Sequence, residues 1–170
     1  GFRTSRLLPP NPTISLSNAH MKKTDYCQSP FFAPEFGDGH TYDEKVDVFA
    51  FSGILYELLT GEPPFKSLSN KEIKQKLIDG KRPTLQSDEE LAEYEKLKEK
   101  KEKSDLNEPK EIARFIELES KRNLCELIQM CWEQDPKKRF TFDKIIETML
   151  DKKIVFPQDL TSIQKIEEFY

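Results

Sequence analysis

The chain has 170 residues, with 27 Lys or Arg against 31 Asp or Glu and a net charge of −4. That length holds one domain with its own core but not two comfortable ones. Mild acidity with both signs in bulk argues against a nucleic-acid partner. The longest apolar-rich run, residues 48–59, falls short of the roughly 18 residues a membrane span needs. No apolar segment marks a signal peptide, and the absence of an initiating Met predicts a fragment or a processed product. Cys27, Cys125 and Cys131 show no Cys-x-x-Cys spacing and there are only two His, so neither a disulfide framework nor a zinc site is expected. The thiols read as neutral groups in a reducing cytosol. No metal and no cofactor are implied.

Residues 1–28 are rich in Pro, Asn, Ser and Thr, with "LLPPNPT" at 7–13, and read as an extended loop. Thr41 and Glu44 match a capping box. The run behind them, "KVDVFAFSGILYELLTG", places Val46, Val48, Phe49, Phe51, Ile54, Leu55, Leu58 and Leu59 almost all the way round a helix, the pattern of a helix buried at a domain centre. Gly61, Pro63 and Pro64 stop it. A shorter helix is predicted over 70–78, with Ile73, Leu77 and Ile78 inward. Ser87 and Glu90 form a second candidate capping box, opening a charged stretch whose only apolar stripe is Leu91, Tyr94 and Leu97. That stretch reads as a solvated helix or an insertion, with partner docking as the alternative. After Pro109, "KEIARFIELESK" has a face in Ile112, Phe115, Ile116 and Leu118.

Two amphipathic helices are then expected. In one, Leu124, Leu127, Ile128, Cys131 and Trp132 share a face. In the other, Thr141 caps and Phe142, Ile145, Ile146, Met149 and Leu150 share a face. The tail after residue 151 carries "IVFP" and "IQKIEEFY". The expected fold is mainly α, with no convincing sheet.

Glu35 sits in "FFAPEF", a segment apolar enough that its carboxylate needs a cation. Arg139, between two helices whose apolar faces must be buried, is the candidate partner, because a guanidinium fork meets a carboxylate with two parallel hydrogen bonds.

"FFAPEF", "YDEKVDVFAFSGILYELLTGEPPF" and "MCWEQDPKKRFTF", in that order, resemble the C-terminal lobe of a eukaryotic protein kinase over about residues 33–150. They are most similar to the tyrosine-kinase-like group, which includes many serine/threonine kinases. The resemblance implies a helical bundle around the central helix, with the N-terminal lobe absent. It divides the chain into an activation-segment-like loop (1–36), a helical domain (37–150, with a charged insertion at 88–120) and a tail (151–170). It implies that Glu35 pairs with Arg139, and that Asp47 supports a catalytic loop by accepting its backbone hydrogen bonds. Trp132 belongs to the Arg-bearing loop motif. Ser29, Pro30, Phe31 and Phe32 correspond to the wall that meets a substrate. The pattern departs at Ser29-Pro30, which stands one residue nearer Ala-Pro-Glu than in the family, and at Phe140, where the family favours Pro.

Phosphoryl transfer requires a glycine-rich loop, a Lys–Glu pair, a catalytic Asp and metal-binding Asp and Asn. No Gly-x-Gly-x-x-Gly, His-Arg-Asp or Asp-Phe-Gly occurs in the sequence, so no catalytic residue is assigned. The expected parent is a cytoplasmic protein serine/threonine kinase of signal transduction, using ATP and magnesium and acting on protein substrates. This chain is expected to be a catalytically incomplete fragment of it. The alternatives are a naturally truncated kinase-like binding or scaffold module that meets docking proteins, and a helical scaffold outside the family. No membrane partner is expected.

Overall fold

The computed structural model describes residues 16–17, 30–36, 41–152 and 154, and of residues 16–17 and 41–42 the backbone alone. The fold is mainly α. Its described elements are a two-residue antiparallel ladder, β1 (Leu16–Ser17) with β2 (Thr41–Tyr42), and the helices α1 (Lys45–Thr60), α2 (Asn70–Ile78), α3 (Asp88–Glu102), α4 (Pro109–Cys131) and α5 (Phe142–Asp151). In the ladder Leu16 pairs with Tyr42 and Ser17 with Thr41.

The expected Thr41–Glu44 capping box does not form. Thr41 belongs to β2, and Glu44 is the N-cap of α1 without a side-chain cap bond. The Asp43 carboxylate, one residue earlier, accepts from the Lys45 N–H at 2.9 Å, so a different acid satisfies a free donor of the first turn. Gly61 ends α1 in the left-handed conformation (φ 75°), with its N–H donating to the Glu57 carbonyl. A side chain there would strain the backbone.

The other caps follow local chemistry. Ser69 with Glu72 closes a capping box on α2, and Ser87 with Glu90 closes one on α3. Thr141 accepts from Lys144 N–H at the start of α5. Pro109 opens α4, where its missing donor costs nothing. The stretch after Pro109 and the helix around Leu124 are one continuous helix of 23 residues, not two. Nothing between residues 118 and 124 breaks it, and Ser120 is buried within it.

Two apolar clusters result. The larger joins Val48, Phe49 and Leu55 of α1 to Ile73 and Leu77 of α2, Leu124, Leu127 and Ile128 of α4, and Ile145 of α5, with Ala33 beside them. The smaller joins Tyr94 and Leu97 of α3 to Phe115 and Leu118 of α4. Burying each such side chain contributes about 1.5–3 kcal/mol. The front half of α4 thus forms a hairpin with α3, while its back half belongs to the bundle.

Several faces expected inward are not covered. Ile78, Leu91, Ile112, Phe142, Ile146 and Leu150 are exposed. On α1, Ile54 is 51% and Leu58 40% exposed, so one stripe of the central helix is open. Periodicity ranks a face as apolar but does not say which residues on its flank meet a neighbour. No described helix is long and apolar enough to cross a membrane.

Candidate functional site

The site is the joint where the segment 30–36 meets α1 and the loop before α5. A short turn carries Glu35 there, with Phe36 N–H donating to the Ala33 carbonyl at 2.9 Å and Ala33 buried in the main cluster. Pro30, Phe31 and Phe32 are half-buried, and the Phe32 and Phe36 rings lie 5.3 Å apart. Phe31 lies over Gly53 so closely that a Cβ on that glycine would stand 2.5 Å from Phe31 Cδ1. Ser29 and Cys27 lie outside the described residues.

Arg139 comes from the loop between α4 and α5. Asp135 shapes that loop by accepting from Lys137 N–H over the turn Pro136–Lys138. The Arg139 side chain is shut away from solvent, and the Glu35 side chain is 19% exposed. The two meet as a bidentate pair, Nη1 to Oε1 at 2.5 Å and Nη2 to Oε2 at 2.9 Å, across 104 residues. Arg139 also donates through Nε to the Glu133 carbonyl at 2.7 Å and through Nη1 to the Lys45 carbonyl at 3.0 Å. Such a fully engaged guanidinium meets the condition for burying a charge.

A second arginine, which the sequence alone did not single out, lies beside it. Arg82 donates from Nε and Nη2 to the Trp132 carbonyl at 3.0 and 2.8 Å, and from Nη2 to the Gln134 side-chain oxygen at 2.8 Å. Arg82 and Arg139 both lie over the Phe49 ring, 5.1 and 5.0 Å from its centroid. Burial, then the neighbouring Arg139 cation, push Arg82 down to about 10, so it stays charged at neutral pH. Its position in "DGKRP", just after a helix end, was the available signal, since a cation there can bind free carbonyls. Trp132 packs its ring 6.1 Å from that of Tyr56.

Asp47 is not part of this joint. It stands in the first turn of α1, and its carboxylate has no hydrogen-bond or ion-pair partner among the described residues. Burial, then the nearby Glu44 carboxylate, raise it above the usual carboxylate value. Phe140 N–H donates to the Met130 carbonyl at 3.3 Å, a bond for which a proline at that position has no donor. Cys125 and Cys131 are free, buried thiols, pushed up by burial to about 11 and about 12. Among the described residues no three His, Cys, Asp or Glu side chains are placed to hold a metal ion.

A helical bundle centred on α1, with an acidic turn clamped to a buried arginine before its last helix, defines a lobe-like assembly that secures a loop against a rigid base. Residues 13–150 match the protein kinase domain family, and the chain belongs to it. It is similar to the serine/threonine-protein kinase VIK of Arabidopsis thaliana, 33% identical over 129 residues, covering 76% of this chain and 23% of that protein. A probable serine/threonine-protein kinase of Dictyostelium discoideum is 29% identical over 136 residues, covering 79% of this chain and 12% of that protein. The scaffold protein ILK of Homo sapiens is 28% identical over 160 residues, covering 87% of this chain and 28% of that protein. The chain therefore spans between about an eighth and somewhat over a quarter of these relatives.

Proposed function

We propose that this chain is the C-terminal-lobe part of a cytoplasmic protein kinase of the tyrosine-kinase-like group, directed to serine or threonine. In this reading phosphoryl transfer depends on residues other than these 170. The observation that carries the reading is the partly open face of α1. Asp47 and Ile54 stand at i and i+7, two turns apart on one face of the helix, flanked by Phe51, which is half-buried against the main cluster, and by Leu58, 40% exposed. That face joins a carboxylate with no hydrogen-bond or ion-pair partner among the described residues to the apolar Ile54, more than half exposed. A central helix with such a face fits a domain in which a further segment packs there, its backbone N–H groups donating to Asp47.

In this reading the 170 residues do not hold Mg-ATP by themselves, because the six glycines of the sequence include no Gly-x-Gly-x-x-Gly and no His-Arg-Asp or Asp-Phe-Gly occurs. What this chain supplies is the base. Arg139 fixes Glu35, Glu35 fixes the segment behind Pro30, Phe31 and Phe32, and these three form part of the wall that a protein substrate meets. Similarity to the scaffold protein ILK favours a second reading, a kinase-fold module that binds protein partners without catalysis.

A polypeptide lengthened upstream by its own coding sequence tests the first reading. Calorimetry is expected to show Mg-ATP binding by the long form and none by the 170 residues. Hydrogen exchange is expected to slow around Ile54 in the long form, and Asp47→Asn is expected to lower its phosphoryl transfer. Stoichiometric Mg-ATP binding by the 170 residues, or an α1 equally open in both forms, would overturn it. A long form that buries Ile54 yet binds no nucleotide supports the scaffold reading.

A further inference from the structure

On the flank of α5 away from Ile146 and Leu150, an open groove of ≈ 490 Å³ runs between α5 and the back half of α4. Its apolar lining comes from Leu127, Met130 and Phe140, and its charged rim from Glu126, Lys144, Asp151 and Lys152. The two helices are antiparallel here. The Lys152 ammonium meets the Glu126 carboxylate at one end, and Phe140 N–H meets the Met130 carbonyl at the other. Met130 is among the exposed large apolar side chains.

We propose that this groove is the docking site of the chain's own C-terminal segment, residues 155–170. The segment starts at the groove. Lys152 is on the rim, and Ile154 N–H donates to the Met149 carbonyl at 3.1 Å while its side chain packs on the main cluster. The chain therefore leaves α5 at the Glu126–Lys152 end.

The residues that follow, "VFPQDLTSIQKIEEFY", have a break at Pro157 and then Leu160, Ile163, Ile166 and Tyr170 at steps of three, three and four. That is one face of a helix. Thirteen residues in helix would run about 20 Å, against about 15 Å for the ten of α5, which is long enough to reach from one end of the groove to the other. Run back along α5, it would bring Glu167 and Glu168 level with the Lys144 end, where the Lys144 ammonium, which also meets Glu147 at 2.8 Å, lines the rim. The inference concerns a face separate from the α1 stripe and stands whether or not a further segment covers that stripe.

Oxidation footprinting of Met130, with hydrogen exchange of the α5 amides, tests it. Ending the chain after Ile154 is expected to speed Met130 oxidation several-fold. A synthetic peptide of residues 155–170 is expected to restore protection saturably. Ile163→Asp in the full chain should reproduce the shortened form, and the same change in the peptide should abolish the rescue. Equal oxidation in long and short chains would overturn the proposal. So would protection that rises with protein concentration, which would assign the groove to a second copy of the chain.

Discussion

The Lys45 ammonium donates to the Arg139 carbonyl at 2.9 Å, and the Arg139 guanidinium donates to the Lys45 carbonyl at 3.0 Å. Two like charges, 94 residues apart in sequence, thus hold one another's backbone. Glu35 neutralises the guanidinium, and a second carbonyl, that of Phe140 at 3.0 Å, shares the ammonium. The start of α1, the loop before α5 and the segment carrying Glu35 are therefore one joint, in which each part supplies what another lacks.

Removing Arg139 should be the most damaging change in this joint. Arg139→Ala strands the Glu35 carboxylate and frees the Lys45 and Glu133 carbonyls. An expected loss of about 3–5 kcal/mol follows from breaking a buried pair on one side. Arg139→Lys keeps the charge without the fork and should lose less than Ala but a clear fraction of it. Urea unfolding reads both as a lower midpoint at an unchanged slope; an unmoved midpoint for Arg139→Ala would refute the pair's role.

Lys45→Met retains the apolar stem and deletes the ammonium. Two half-buried carbonyls lose a donor, which costs about 1–3 kcal/mol where water does not replace it. Because Lys45 and Arg139 share bonds, the double variant Lys45→Met/Arg139→Ala should lose less than the sum of the single changes. Strict additivity in unfolding free energies would show that the two act separately.

Gly53→Ala separates helix propensity from packing. Alanine in the middle of α1 should gain up to about 1 kcal/mol by propensity alone. Its methyl would instead meet the Phe31 ring at 2.5 Å. The expected outcome is a net loss of stability and faster hydrogen exchange in residues 30–36, with Phe31→Ala restoring the gain in the double variant. A Gly53→Ala protein more stable than the parent, with residues 30–36 still protected, would place Phe31 elsewhere.

The sequence disclosed this joint unevenly. Glu35 and Arg139 were readable as a pair chiefly through the order of the kinase-like motifs, since a carboxylate among aromatics calls for a counter-charge but the chain offers 27 cations. Arg82 was not, because most of its partners are backbone carbonyls, those of Trp132, Leu77 and Lys81, and a carbonyl leaves no mark in a sequence. The same reasoning explains the cap of α1. Thr41 and Glu44 have the right spacing, yet β2 draws Thr41 into a ladder and Asp43 serves the first turn. Ser69 and Glu72 had that spacing too and do form the box. Helix existence was readable from periodicity, but the continuity of α4 was not. Its front half packs on α3 and its back half on α1, so its apolar face shifts along its length and imitates two helices.

The α3–α4 hairpin should answer to acid and salt in a way the main bundle does not. Its helices are joined by Arg114 with Glu93, Lys121 with Glu90 and Arg122 with Glu95, at 2.8, 2.6 and 2.8 Å. The hydrogen bond from Arg114 holds Glu93 below its ordinary value. Burial raises Glu90, but the Lys121 ammonium and the Ser87 N–H outweigh it and leave that carboxyl lowered as well. A carboxyl depressed on folding stabilises above its unfolded value of about 4.3 and loses that contribution as pH falls through the folded value. Protection of the α3 amides should therefore be full at neutral pH and decline below about pH 4, while α1 amides, sealed by the Leu55 and Ile128 core, hold longer. Salt at about 1 M, where screening acts within about 3 Å, should weaken α3 selectively at pH 7, since the side chains of these pairs are a quarter to a half exposed. Hydrogen exchange resolved by segment checks both. Parallel loss of protection in α3 and α1 would mean that the hairpin and the bundle open as a single unit, with the ion pairs contributing nothing separable.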